Sequence, residues 1–362
     1  MFNFGQWSLW LLSGVFAASA AVVWLAGSRL AGYADEISDR TGIGQAFIGL
    51  VVLGGITSLP EVAVSVSASL TGEAVLALNN VLGSVAAQVA LLALADALIG
   101  REALTSVVLK PAVLLQAALN IILLALIAGA VTAGDVSIGF FGVWSAALFL
   151  GYLISIWALA GYQQRMPWTV KSDGDGGEAR PARAAGAGQD DDAKQAGSGK
   201  ASLRGLILRT VVAAALILAA GYLLSQTGSA AAAKTGLGSA FFGVTFLAVA
   251  TSLPEISTMA GAVRLRRYEM ALGDIFGTNL FNAALVFVID VLAPGPPVLS
   301  RVGAFSAFGA LLGLVLTTIF MAGVIERRDR TVFRMGWDSL AALAFYAAGL
   351  VVLWTLRGQA GG

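Results

Sequence analysis

Two five-residue segments carry the chemistry open to this chain: Thr57-Ser58-Leu59-Pro60-Glu61 and Thr251-Ser252-Leu253-Pro254-Glu255. Each places a carboxylate directly after a proline, inside an apolar run. A carboxylate at membrane depth costs roughly 3 kcal/mol on insertion scales, so one held twice at equivalent positions argues for function rather than packing. Proline removes a helical N–H and pushes away the carbonyl four residues back. That frees the carbonyls of Ile56 and Ala250. Thr57 and Ser58 precede Glu61 by four and three residues, so both share its helix face, and Thr251, Ser252 and Glu255 repeat the arrangement. Further along, Ser84 and Gln88 stand i, i+4, matched by Thr278 and Asn282, with each amide 27 residues after its glutamate. Gly83 and Gly277, just before the hydroxyls, allow close helix approach. Carboxylates, hydroxyls, amides and carbonyls are hard oxygen ligands, which suit Ca²⁺, Na⁺ or Mg²⁺ rather than copper or zinc. Two glutamates neutralise one divalent ion, and competition for them couples that ion to a second one.

The segments belong to a longer repeat. Gly42–Asp96 aligns with Gly236–Asp290 without a gap at an offset of 194, with 18 of 55 positions identical. Scattered apolar identities could come from composition. An unbroken TSLPE identity with equal downstream spacing could not.

The elements that must hold these residues are membrane spans. Of 362 residues, 58% are hydrophobic and 12% charged, against about 25% charged in an ordinary soluble domain. Apolar runs predict ten spans: Trp7–Gly27, Ile43–Leu70, Ala74–Ile99, Pro111–Ala133, Val136–Tyr162, Thr210–Ser225, Gly236–Val263, Met270–Ala293, Val302–Ile325 and Trp337–Leu356. The fold class is therefore an all-α membrane protein of ten transmembrane helices. Residues 1–162 form the first five-helix repeat and 204–362 the second. Because five is odd, the second copy inserts upside down, an architecture with its site at the repeat interface. Alternating the loops puts 19 basic residues on one side and 3 on the other, which predicts both termini outside and the long loop in the cytoplasm. That loop, 163–203, has six basic and six acidic residues among many Gly and Ala, and reads as disordered, with Asp190–Asp192 a solvated charge cluster. The first span lacks a preceding basic residue, so it reads as a retained helix rather than a cleaved signal. The expected location is a bacterial inner membrane.

Composition also excludes functions. No Cys and no His means no disulfide, thiolate metal site, Cys nucleophile or imidazole acid–base group. With 22 basic and 21 acidic residues there is no basic surplus for a nucleic-acid partner. Gly197-Ser198-Gly199-Lys200 lacks the first glycine of a phosphate loop, which argues against an ATP-driven pump. An intramembrane aspartyl protease needs two facing aspartates, whereas Asp96 and Asp290 should lie toward opposite membrane faces, as helix-end charges or beside ion access paths. The chain reads as a transporter, not an enzyme, with no resident cofactor.

At these residues the sequence resembles the cation/calcium exchanger (CaCA) superfamily, specifically its sodium/calcium exchangers. Those proteins carry two inverted repeats of the form G-[ST]-S-x-P-[ED], each followed by G-[ND]-x-x-G-[ST]-N-x-x-[ND]. The resemblance implies secondary antiport of Ca²⁺ for Na⁺ by alternating access. It implies Glu61 and Glu255 as central Ca²⁺ ligands with the Thr57 and Thr251 carbonyls beside them. It places Ser58, Ser84, Ser252 and Thr278 at Na⁺ positions, and Gln88 and Asn282 at the polar corners. Several positions depart from the pattern. Ile56 and Ala250 replace the first glycine, Asn79 replaces Gly, Val85 replaces Asn, and Gln88 is longer than the usual Asn or Asp. The second copy, Gly273-Asp274-Ile275-Phe276-Gly277-Thr278-Asn279, fits better. With neither amide position acidic, only two carboxylates remain in this site. Proton-coupled relatives share the glutamates, so Ca²⁺/H⁺ antiport is the alternative reading, and a cation channel a more distant one.

Overall fold

A computed structural model describes residues 3–41, 57–99, 111–163, 203–264, 268–326, 331–332 and 335–359. The helices, in order, are α1 (Leu9–Thr41), α2 (Leu59–Leu70), α3 (Ala74–Ile99), α4 (Pro111–Ala133), α5 (Val143–Gln163), α6 (Leu203–Thr235), α7 (Ser239–Thr251), α8 (Leu253–Arg264), α9 (Tyr268–Leu292), α10 (Ala304–Glu326) and α11 (Trp337–Leu356). Two minimal antiparallel hairpins interrupt them: β1 (Ser137–Ile138) with β2 (Phe141–Gly142), and β3 (Thr331–Val332) with β4 (Met335–Gly336). Gly139, at φ +67°, makes the first hairpin turn.

The fold is helical and membrane-spanning. Among the described residues eight helices are long and apolar enough to cross a bilayer, or nine if the bent pair α7–α8 counts as one span. The first half of the expected second span, residues 42–56, lies outside the described residues, as does the polar stretch 164–202. Two boundaries differ from expectation. The expected first span, Trp7–Gly27, becomes the longer α1, and the expected sixth, Thr210–Ser225, becomes the 33-residue α6. A helix does not stop where hydrocarbon does, and Arg204, Arg209 and Lys234 extend it toward water by snorkelling. The fifth span was expected from Val136, but the β1–β2 hairpin takes up its first residues.

The repeat extends far beyond its recognisable sequence. Each helix and hairpin of the second half that has a described counterpart starts and ends 194 residues after it, to within one residue. α3 and α9 lie at the centre, while α1, α5, α6 and α11 expose most of their side chains, Trp10 and Trp157 among them. Such exposed apolar faces suit lipid. The equivalent helices α1 and α6 pack antiparallel: Phe16 lies against Gly228 near one end, and Val22 to Arg29 run alongside Leu216 back to Arg209. Gly27 and Gly221, themselves 194 apart, let these helices press onto the TSLPE region, Gly27 against Pro254 and Gly221 against Ala63.

Asp96 and Asp290 latch the halves together reciprocally. Asp96 Oδ2 accepts from the backbone N–H of Gly336 at 2.7 Å, and Asp290 Oδ2 accepts from that of Gly142 at 2.6 Å. Each carboxylate therefore satisfies the donor just before the last long helix of the other half. Asp290 also accepts from Ser145 Oγ and the Val298 N–H, both at 2.6 Å. These are contacts at helix termini. Asp290→Ala is expected to leave the buried N–H groups of Gly142 and Val298 unpaired and to cost about 2–6 kcal/mol. Thermal unfolding should drop sharply while Ca²⁺ affinity of the surviving folded protein stays unchanged; a shifted affinity at unchanged stability would contradict the latch.

Candidate cation site

Each TSLPE segment breaks its helix in the same way. Ser58 has φ −81°, ψ 8° and Ser252 has φ −82°, ψ 7°, between helical residues on either side. After Ser252 the chain bends by 48°. Helix resumes at once, with Val62 N–H donating to Ser58 O and Ile256 N–H to Ser252 O. The proline sits early in the new helix, where a missing N–H is tolerated. Glu61 and Glu255 thus stand in the first turns of α2 and α8. There the carboxylate faces the positive end of a short helix dipole.

All ten predicted site residues have 0% exposure: Thr57, Ser58, Glu61, Ser84, Gln88, Thr251, Ser252, Glu255, Thr278 and Asn282. Most of the contacts among them run across the repeat. Ser252 Oγ donates to Glu61 Oε1 at 3.3 Å, and Gln88 Nε2 donates to Ser252 Oγ at 3.1 Å. Ser84 and Thr251 hydroxyls meet at 3.3 Å, and both reach toward Glu61 as well. Thr251 Oγ1 also contacts Asn80 Oδ1 at 3.3 Å. Spacing puts Thr57 and Ser58 on the helix face of Glu61. In the fold, Glu61 takes hydrogen bonds from Ser252 and Thr251 of the other segment and from Ser84.

The symmetry-related side is not closed in the same manner. Ser58 Oγ, both Glu255 carboxylate oxygens, Thr278 Oγ1 and both polar atoms of the Asn282 amide have no hydrogen-bond partner. Glu61 Oε2 and Gln88 Oε1 are also unpartnered. Buried polar atoms are normally satisfied, and each orphan costs about 1–3 kcal/mol. Glu255 is near enough to feel the charge of Glu61, and among the described residues no basic group acts on either carboxylate. Two like charges out of water with open oxygens need either protons or a metal cation to neutralise them.

Asp274 is a third carboxylate that sequence reading placed only within a motif. It accepts from Thr258 Oγ1 at 2.8 Å, and its charge reaches Glu255. Its counterpart at the 194 offset is the neutral Asn80, a difference visible in sequence once the repeat is aligned. Among the described residues no three acidic side chains cluster tightly enough to hold an ion together, so Asp274 stands beside the glutamate pair rather than in it.

The sodium/calcium exchanger protein family model matches this chain twice, over residues 11–160 and 205–355, one match per half. The chain belongs to the sodium/calcium exchanger family. Within that family it is 26% identical to the putative antiporter CaxA of Alkalimonas amylolytica over 336 residues, covering 87% of this chain and 92% of that protein. It is 30% identical to the inner membrane protein YrbG of Escherichia coli (strain K12), covering 73% and 74%. Its fold matches solved structures of the sodium-calcium exchanger NCX_Mj, for instance at TM-score 0.57 and 14% identity, covering 95% of this chain and 99% of that one. The exchanger family is one of multi-pass membrane transporters, and the buried glutamate pair lies where its two matched halves meet.

Proposed function

We propose that this protein is a secondary antiporter that exchanges Ca²⁺ for Na⁺ across the membrane by alternating access. The observation that carries the reading is the pair Glu61 and Glu255, fully buried, with three of four carboxylate oxygens unpartnered and no basic neighbour among the described residues. Those carboxylates would hold one Ca²⁺, with Thr57 and Thr251 contributing carbonyls. Ser58, Ser84, Ser252 and Thr278 would line the Na⁺ positions, with Gln88 and Asn282 at the corners. The uneven hydrogen bonding fits two alternative arrangements of one site. A relative named as a sodium/calcium exchanger, MaX1 of Methanosarcina acetivorans, is 26% identical over 39% of this chain and supports the same cargo. The antiparallel α1–α6 packing favours ten spans in two inverted repeats, 1–162 and 204–362, joined by a cytoplasmic loop at 163–203. The charge asymmetry places both termini outside, and a bacterial inner membrane is the proposed location.

The alternative coupling ion is H⁺, favoured by the two amides where a third carboxylate would tighten Na⁺ binding. In sealed proteoliposomes, ⁴⁵Ca²⁺ uptake should follow an outward Na⁺ gradient. Uptake indifferent to Na⁺ but driven by a pH gradient would overturn Na⁺ coupling and leave Ca²⁺/H⁺ antiport. Counterflow separates either exchanger from a channel, because only an exchanger speeds uptake when loaded with counter-ion.

A further inference from the structure

A groove of about 450 Å³ opens on the lipid-facing surface between α1 and α6. Its walls are apolar along Val22, Leu25, Val212 and Leu216, and its other end carries Arg29, Arg209 and the partly buried Tyr33. Both arginines are exposed, and neither makes an ion pair or hydrogen bond in the structure. The apolar stretch of α1 ends at Arg29. The guanidiniums therefore sit where hydrocarbon gives way to headgroups.

Symmetry isolates the feature. The fold builds the same helix pair at both ends of the molecule, with Leu216 the counterpart of Val22 at the 194 offset. At the opposite end the positions of Arg29 and Arg209 are taken by Leu223 and Val15. The paired cations thus belong to one end of the helix pair alone. We propose that this groove binds one anionic phospholipid, with its phosphate between Arg29 and Arg209 and an acyl chain along Val22 and Leu216. Basic pockets between membrane helices recognise lipid headgroups in this way. The occupant would also act on transport. Two residues before Arg29, Gly27 packs with its Cα side against Pro254; a Cβ there would lie 2.5 Å from the proline Cγ. A lipid wedged beside α1 braces that contact, one residue from Glu255.

The test titrates delipidated, detergent-purified protein with phosphatidylglycerol or phosphatidylcholine of identical chains and counts bound lipid by native mass spectrometry. Wild type should retain phosphatidylglycerol about tenfold more tightly, and Arg29→Gln/Arg209→Gln should erase the preference without lowering the melting temperature. Leu216→Trp, which fills the slot and keeps both charges, should weaken binding of both lipids. Equal binding of the two lipids by wild type, or an undiminished preference in the double variant, overturns the proposal. Because binding is read without transport, the result stands apart from the identity of the exchanged ions. In vesicles, adding phosphatidylglycerol to phosphatidylcholine should change the wild-type uptake rate and leave the double variant unmoved.

Discussion

Glu61→Gln and Glu255→Gln are each expected to abolish ⁴⁵Ca²⁺ uptake while the protein still folds. Glutamine keeps the size and the hydrogen-bonding capacity of the side chain, so Ser252 retains an acceptor at position 61. What disappears is one of the two charges proposed to hold the divalent ion, in a site without water-exposed surface. Truncating one partner of a buried charge pair costs about 3–5 kcal/mol, and each 1.4 kcal/mol is about tenfold in affinity. Ca²⁺ binding should weaken by at least a hundredfold in either variant. Isothermal titration of purified protein and vesicle uptake both measure this. The two variants should differ in stability. Glu255 has no hydrogen bond to lose, so Glu255→Gln should melt at or above wild type, since it also removes repulsion from Glu61 and Asp274. Wild-type-like uptake by either variant would remove that glutamate from the site.

Gly83→Ala is the second large effect, through packing rather than charge. Gly83 of α3 meets the backbone of Val244 in α7, across the boundary between the halves. A Cβ at Gly83 would lie 2.5 Å from the Val244 Cα and 2.7 Å from its carbonyl carbon. Backbone cannot rotate out of the way as a side chain does, so the helices must separate. Overpacking of this kind costs typically about 1–3 kcal/mol. The displacement also carries Ser84 and Gln88, which bond Thr251 and Ser252 across the same interface. Gly83→Ala should therefore lose thermal stability and Ca²⁺ uptake together, and Gly83→Val should fail to yield folded protein. A normal melting temperature with normal uptake would show that α3 and α7 are not held at this separation.

The repeat was legible where residue identity matters to the site. Thr57 to Glu61, Gly83 and Asp96 are the same in both halves because close packing and ligand chemistry admit few substitutes. α1 and α6 share length and position with little shared sequence, since a lipid-facing helix needs only apolar side chains. For the same reason hydropathy underestimated α6: a window ends at the first charges, whereas a helix continues to them. The cross-repeat bonds of Ser252 and Thr251 with Glu61 and Ser84 could not be read from spacing. Periodicity orders side chains on one helix and is silent about which neighbouring helix faces them. Asp96 and Asp290 were visible as a symmetric pair, but their partners are backbone N–H groups, which leave no signature in sequence. Asp274 was hidden by its own motif, where Asn and Asp are interchangeable.

The reciprocal latches also bear on biogenesis. A ribosome delivers the first half to the membrane with the Gly142 N–H and the Ser145 hydroxyl aimed at a carboxylate that is still untranslated. Asp96 likewise waits for Gly336, 240 residues later. Until the second half arrives, the contacts that Gly142, Asp96 and Glu61 make across the repeat cannot form.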